Sequence, residues 1–166
     1  MIVHDFVDVE CPADEVTRAL VAGGAWLAEC ASSAHASAEH LRVRVGPAGP
    51  RSAIAKTVDL QLGTPVVLHR VTIIPVLWEA TGAPELFPRL DGSIEISPFG
   101  DNLTQVTLFA RYDPPFGKVG EVIDHLMFHH LAEHTVRAFL QDLAARLCPS
   151  GSSDRHGAPA SVEVHR

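Results

Sequence analysis

Apolar and polar residues alternate with a period of two along most of this chain, and that period gives way to a helical one near the C-terminal end. Ile2 to Glu10 alternate well enough for a first strand. Cys11-Pro12-Ala13-Asp14-Glu15 then reads as a helix start, because proline fits the first helical turn and early carboxylates suit the helix dipole. Val16, Ala19 and Leu20 give this helix a short apolar stripe, and Gly23-Gly24 stops it. Trp26 and Leu27 open a second, alanine-rich helical piece expected to fade by about Ala38.

From Leu41 the period is two again, with Leu41, Val43 and Val45 alternating with Arg42 and Arg44. After the loop Gly46-Pro47-Ala48-Gly49-Pro50, a strand sets Ile54, Val58, Leu60 and Leu62 on one side and Thr57, Asp59 and Gln61 on the other. Gly63-Thr64-Pro65 turns into an apolar run from Val66 to Ile74. Pro75 interrupts that run, which demands an edge or a bulge, and Val76 to Glu79 continue beyond it. Asp91-Gly92, Phe99-Gly100 and Asp101-Asn102 read as hairpin turns separating strands at Leu86–Leu90, Ser93–Ser97 and Leu103–Tyr112.

The chain then breaks at Asp113-Pro114-Pro115-Phe116-Gly117, and a single long helix runs to about Leu147. Val119, Val122, Ile123, Leu126 and Met127 form one apolar stripe on it. Ala132, Val136, Phe139, Leu140, Leu143 and Leu147 form a second, rotated by roughly a quarter turn. One long helix and one antiparallel sheet predict an α+β fold of about seven strands, with two short helices after the first strand. The sheet is expected to curve around the helix and leave a ligand cavity between them. The domain is expected to span residues 1–147, with 148–166 a polar, disordered tail.

Composition fits this picture. The chain has 166 residues, 46% hydrophobic and 20% charged, which suits one globular domain with a substantial core. Its net charge of −7 disfavours nucleic acid and anionic lipid as partners. No apolar run is long enough to span a membrane, and Met1 to Asp5 carry no signal-peptide pattern. Cys11, Cys30 and Cys148 are odd in number and far apart, so they read as three small hydrophobes suited to a reducing cytoplasm.

Val7-Asp8-Val9-Glu10-Cys11-Pro12-Ala13-Asp14-Glu15-Val16 resembles the opening strand and helix entry of the START-like (SRPBCC) superfamily, which includes the birch-pollen-allergen-type proteins and the polyketide cyclases. Arg111-Tyr112-Asp113-Pro114-Pro115-Phe116-Gly117 and the helix after it resemble that superfamily's closing strand and grip helix. Trp78-Glu79-Ala80 and Leu86-Phe87-Pro88-Arg89-Leu90-Asp91-Gly92 resemble an uncharacterised branch of it. The resemblance implies a helix-grip fold with a cavity for an apolar or aromatic small molecule, sometimes with chemistry performed on it.

Glu121, Asp124, His125, His129, His130, Glu133 and His134 concentrate potential ligands on the long helix. His130-Leu131-Ala132-Glu133-His134 matches the inverted zinc-protease pattern, but that chemistry needs a third ligand and a fold built around it, so neither a metal nor another cofactor is expected. The second half of the helix is expected to seal the core. The first half would overlook the cavity, with His129 or His130 as its polar contact. Lys56 shares a strand side with Ile54, Val58 and Leu60, where it would meet a ligand carboxylate or enolate or else extend its head to water. Val106, Leu108 and Ala110 alternate with Tyr112 toward the cavity, and Trp26, Trp78 and Phe87 are aromatic wall candidates. The expected ligand-contacting set is therefore Trp26, Lys56, Val58, Trp78, Phe87, Ile94, Val106, Leu108, Tyr112, Leu126, His129 and His130.

Three functions suit such a chain. The first is binding of a lipid-, aromatic- or polyketide-like molecule. The second is a cyclase or aromatase using a histidine, Lys56 or Tyr112 for proton transfer and enol stabilisation. The third is an interaction module whose cavity is filled by its own side chains. The sequence leaves a homodimer open.

Overall fold

The computed structural model describes residues 2–45, 58–80, 89–113 and 125–148. Strand β1 (Ile2–Val9) leads into helices α1 (Ala13–Ala22) and α2 (Ala25–Val45). Strands β2 (Val58–Leu62), β3 (Val66–Leu68), β4 (Val71–Ala80), β5 (Arg89–Pro98) and β6 (Thr104–Asp113) follow, and helix α3 (His125–Leu147) comes last. The six strands form one antiparallel sheet in the order β1-β6-β5-β4-β2, with β3 also pairing with β4. The fold is α+β, as the periodicities predict, with one strand fewer among the described residues than the seven expected.

Each element follows from local chemistry. Pro12, extended at φ −61°, caps α1, and its carbonyl accepts the N–H groups of Glu15 and Val16. Asp14 and Glu15 lie in the first turn, where the dipole favours them, while Val16 and Leu20 are buried. On α2, Leu27, Cys30, Ala31, Ala34 and His35 are buried at the spacing of one helical face.

Three expectations need correction. Leu41 to Val45 belong to α2 and not to a strand. From Ala36 to Arg44 there is neither glycine nor proline, and an existing helix gains a hydrogen bond with each added residue. The run from Val66 to Ile74 is split by a two-residue turn at His69-Arg70, which pairs Leu68 with Val71. Asp91-Gly92 makes no turn, and β5 passes straight through it. A Cβ at Gly92 would land on the Phe109 carbonyl oxygen and 2.6 Å from the Ala110 Cα, so this glycine permits close approach of β6.

Pro75 sits where β4 changes neighbour from β3 to β2. Its carbonyl accepts the Gly63 N–H at 2.7 Å, so the side of Pro75 that lacks an N–H faces the corner between those two strands. No ladder bond to β5 is lost.

The helices cover one face of the sheet. α3 packs mainly on α2 and β1, α2 also meets β2, and α1 lies against β5. Arg137 of α3 reaches Asp5 of β1 at 2.9 Å, and Arg146 reaches Glu29 of α2 at 2.9 Å. Asp5 also accepts the backbone N–H of Phe6 through its Oδ1, at 2.9 Å. Of the second stripe read from the sequence, Ala132, Val136, Phe139, Leu140 and Leu143 are buried and Leu147 is half-buried against the core.

Cys11 and Cys148 are joined in a disulfide, their Cα atoms 6.3 Å apart, which corrects the reading of all three cysteines as small hydrophobes. That reading holds for Cys30, which is buried and free. The spacing of 137 residues gave no hint of the pairing, because it arises only when the end of α3 returns to the start of α1.

Candidate functional site: the inner face of the sheet

Strand register determines which side chains share the face beneath the helices, because directly paired residues point to the same side. Leu90 stands between Trp78 and Tyr112, Gly92 between Val76 and Ala110, and Ile94 between Ile74 and Leu108. Ile96 stands beside Val106 in the next row. All of these whose side chains are described, apart from half-buried Gly92, are buried.

The rows differ in bulk. Two bulky rows, Trp78–Leu90 and Ile74–Ile94–Leu108, flank a row whose middle is Gly92 and Ala110. Those two residues carry the smallest side groups of the face, and a Cβ at Gly92 would lie 2.7 Å from the Ala110 side chain. At the rim of this floor the Trp78 indole meets Phe139 of α3 edge to face, with ring centres 5.3 Å apart and planes at 62°.

The floor is electrically quiet. Among the described residues, His35 and Thr104 are the buried polar side chains. Thr104 donates its hydroxyl to the Cys11 carbonyl at 2.6 Å. Asp5, at the margin beneath α3, is half-buried and neutralised by Arg137. Burial pushes the Cys30 thiol up from its ordinary range, more than offsetting the Arg146 guanidinium, which lowers it. The Arg146 guanidinium is itself raised, first by its hydrogen bond to Glu29. Apolar surfaces of this kind take up ligands by burial, with few polar contacts to fix orientation.

The structure brings together Trp78, Ile94, Val106 and Leu108 of the expected contact set. Trp26 is half-buried and packs against the same core from α2. His130 lies on the solvent side of α3, with its side chain 69% exposed and its Nδ1 3.6 Å from Glu133. Lys56 and Phe87 lie outside the described residues, as do the side chains of Val58, Tyr112, Leu126 and His129. Among the described residues, no three metal-ligating side chains come together. Gly92 escaped the sequence reading because Asp91-Gly92 looks like a turn. The signal that would have found it is the unbroken alternation Leu90, Gly92, Ile94, Ile96 across that dipeptide.

An antiparallel sheet, two helices after its first strand and a long C-terminal helix packed on one of its faces give this chain the α+β arrangement of a helix-grip fold. It is similar in overall structure to a conserved protein from Geobacillus kaustophilus, at 17% identity over 90% of this chain and 97% of that one, with a TM-score of 0.49. A protein from Thermus thermophilus matches at 15% identity over 92% of this chain and 100% of that one, TM-score 0.45. The Zhui aromatase/cyclase from Streptomyces sp. R1128 matches at 11% identity over 89% of this chain and 93% of that one, TM-score 0.42. No protein-family model and no curated protein matches the sequence. No helix among the described residues is long and apolar enough to cross a membrane.

Proposed function

We propose that the protein binds a hydrophobic small molecule, lipid-, aromatic- or polyketide-like, between the sheet and α3, at the end of the inner face marked by Trp78 and Leu90. The observation that carries this reading is the wall of apolar side chains around Trp78 on the inner face, in which the small residues Gly92 and Ala110 stand between two bulkier rows. The absence of buried charge among the described inner-face residues suits an apolar guest. The reading extends to Lys56, Val58, Phe87, Tyr112, Leu126 and His129 as further contacts expected from the sequence. A protein acting in the cytoplasm is consistent with it.

The Trp78–Phe139 contact favours a second reading, an interaction module whose interior is closed by its own aromatic rings. Cyclase or aromatase chemistry has less support, because the described inner face offers no acid–base pair. One experiment separates the first two readings. Freshly purified protein is examined by native mass spectrometry and then titrated with an environment-sensitive naphthalene dye. Retained apolar mass, or saturable dye binding that Trp78→Ala weakens, supports ligand binding. No retained species and no saturable binding would leave the closed-interior module standing.

A further inference from the structure

We propose that Cys11 and Cys148 form a reversible disulfide clasp, opened and closed by exchange with a small thiol–disulfide couple, that fastens the end of α3 to the corner between β1 and α1. The two cysteines lie 137 residues apart in sequence, yet their Cα atoms are 6.3 Å apart, within the range that a disulfide spans. Both are partly exposed, so a small thiol can reach the bridge.

Neither cysteine depends on the bridge for its position. The Cys11 carbonyl accepts the hydroxyl of fully buried Thr104 at 2.6 Å. The Cys148 N–H donates to the Ala144 carbonyl at 3.3 Å, continuing the helical pattern of α3. Behind Cys148, Leu143 is fully buried and Leu147 packs against the core, so the helix end stays docked without covalent help. The Cys11 Sγ lies 3.9 Å from the Leu147 carbonyl oxygen, which gives a reduced Cys11 thiol an acceptor in place. These contacts are compatible with both states, and that is what a reversible bond requires.

Closure proceeds by two displacements. The thiolate of one cysteine attacks a sulfur of glutathione disulfide and expels one glutathione thiolate. The sulfur of the second cysteine then displaces the other glutathione from the mixed disulfide. The protein gives up two electrons and two protons, and two glutathione thiols are formed. Cys30 takes no part, because it is fully buried and its thiol is held protonated by that burial. The clasp is independent of any ligand between sheet and helix.

The test uses the full chain, reduced with dithiothreitol, freed of reductant and then exposed to glutathione disulfide. The reduced protein should stay folded by circular dichroism and take iodoacetamide at Cys11 and Cys148 but not at Cys30. The oxidised protein should be two hydrogens lighter and refuse the label. It should melt roughly 5–15 °C higher, as closing a long loop predicts. Amide exchange over residues 140–148 should be faster in the reduced form, and Cys148→Ser should match that form in either redox buffer. Two alkylatable thiols or stable glutathione adducts after oxidation would overturn the proposal. So would a reduced protein that unfolds, since the bridge would then be a permanent staple, or a Cys148→Ser variant as heat-stable as the oxidised protein.

Discussion

Trp78 on β4 and Phe139 on α3 meet edge to face, the one aromatic contact that joins the sheet to its covering helix among the described residues. Phe139 is fully buried, so its removal opens a cavity that the surrounding strands cannot close. Phe139→Ala is expected to cost about 3–5 kcal/mol in urea denaturation. A double-mutant cycle with Trp78→Ala should return a coupling of about 0.5–1.5 kcal/mol. A coupling near zero would mean that the rings merely adjoin.

Gly92 tests the close approach of β5 and β6. A methyl group there would land on the Phe109 carbonyl oxygen and 2.7 Å from the Ala110 side chain. Gly92→Ala should therefore lower stability by about 1–3 kcal/mol, or more where the strands cannot part. Adding Ala110→Gly should fail to restore it, because the obstructing oxygen belongs to the backbone. Thermal melts of the single and double variants decide this.

His69 occupies the β3–β4 turn at φ 59°, a left-handed conformation in which a Cβ is costly. With few side-chain contacts to lose at an exposed site, His69→Gly is expected to raise stability by about 1 kcal/mol. An unchanged or lowered melting temperature would show that the imidazole is held there by something more than the turn.

Alkaline pH should expose the buried thiol. The Cys30 pKa is raised in the folded state, chiefly by burial, above its ordinary value of 9.0. The native chain thus holds this proton more firmly than the unfolded chain. The resulting stability is complete below about pH 9 and drains away as pH rises toward the folded value. The stability gap between the wild type and Cys30→Ala should narrow above that pH, as followed by denaturant midpoints across an alkaline series. A constant gap would count against a buried neutral thiol.

Much of the scaffold could be read from periodicity alone. The two-residue alternation of Val106, Leu108 and Ala110 and the helical stripe from Ala132 to Leu143 announce their buried faces directly, because a single burial direction repeats along each element. Turn chemistry was less legible. His69-Arg70 makes a hairpin without glycine, whereas Asp91-Gly92 looks like a turn and is strand interior, since the requirement at Gly92 comes from a partner strand rather than from its own neighbours. The Cys11–Cys148 pair was invisible for the same reason, being created by tertiary return of the chain. Within the inner face, the row that sets Gly92 between Val76 and Ala110 depends on register, which no local pattern encodes.

Asp5 adds a consequence of its own. Strand β1 has β6 on one flank and no second strand on the other among the described residues. There, the Asp5 carboxylate engages the Phe6 N–H and pairs with Arg137. A stray chain annealing along that flank would have to displace a charged group already bonded to the backbone it seeks. The carboxylate thus acts as a stopper against sheet-to-sheet aggregation, beside the exposed Ile2 and Phe6 that would otherwise invite it.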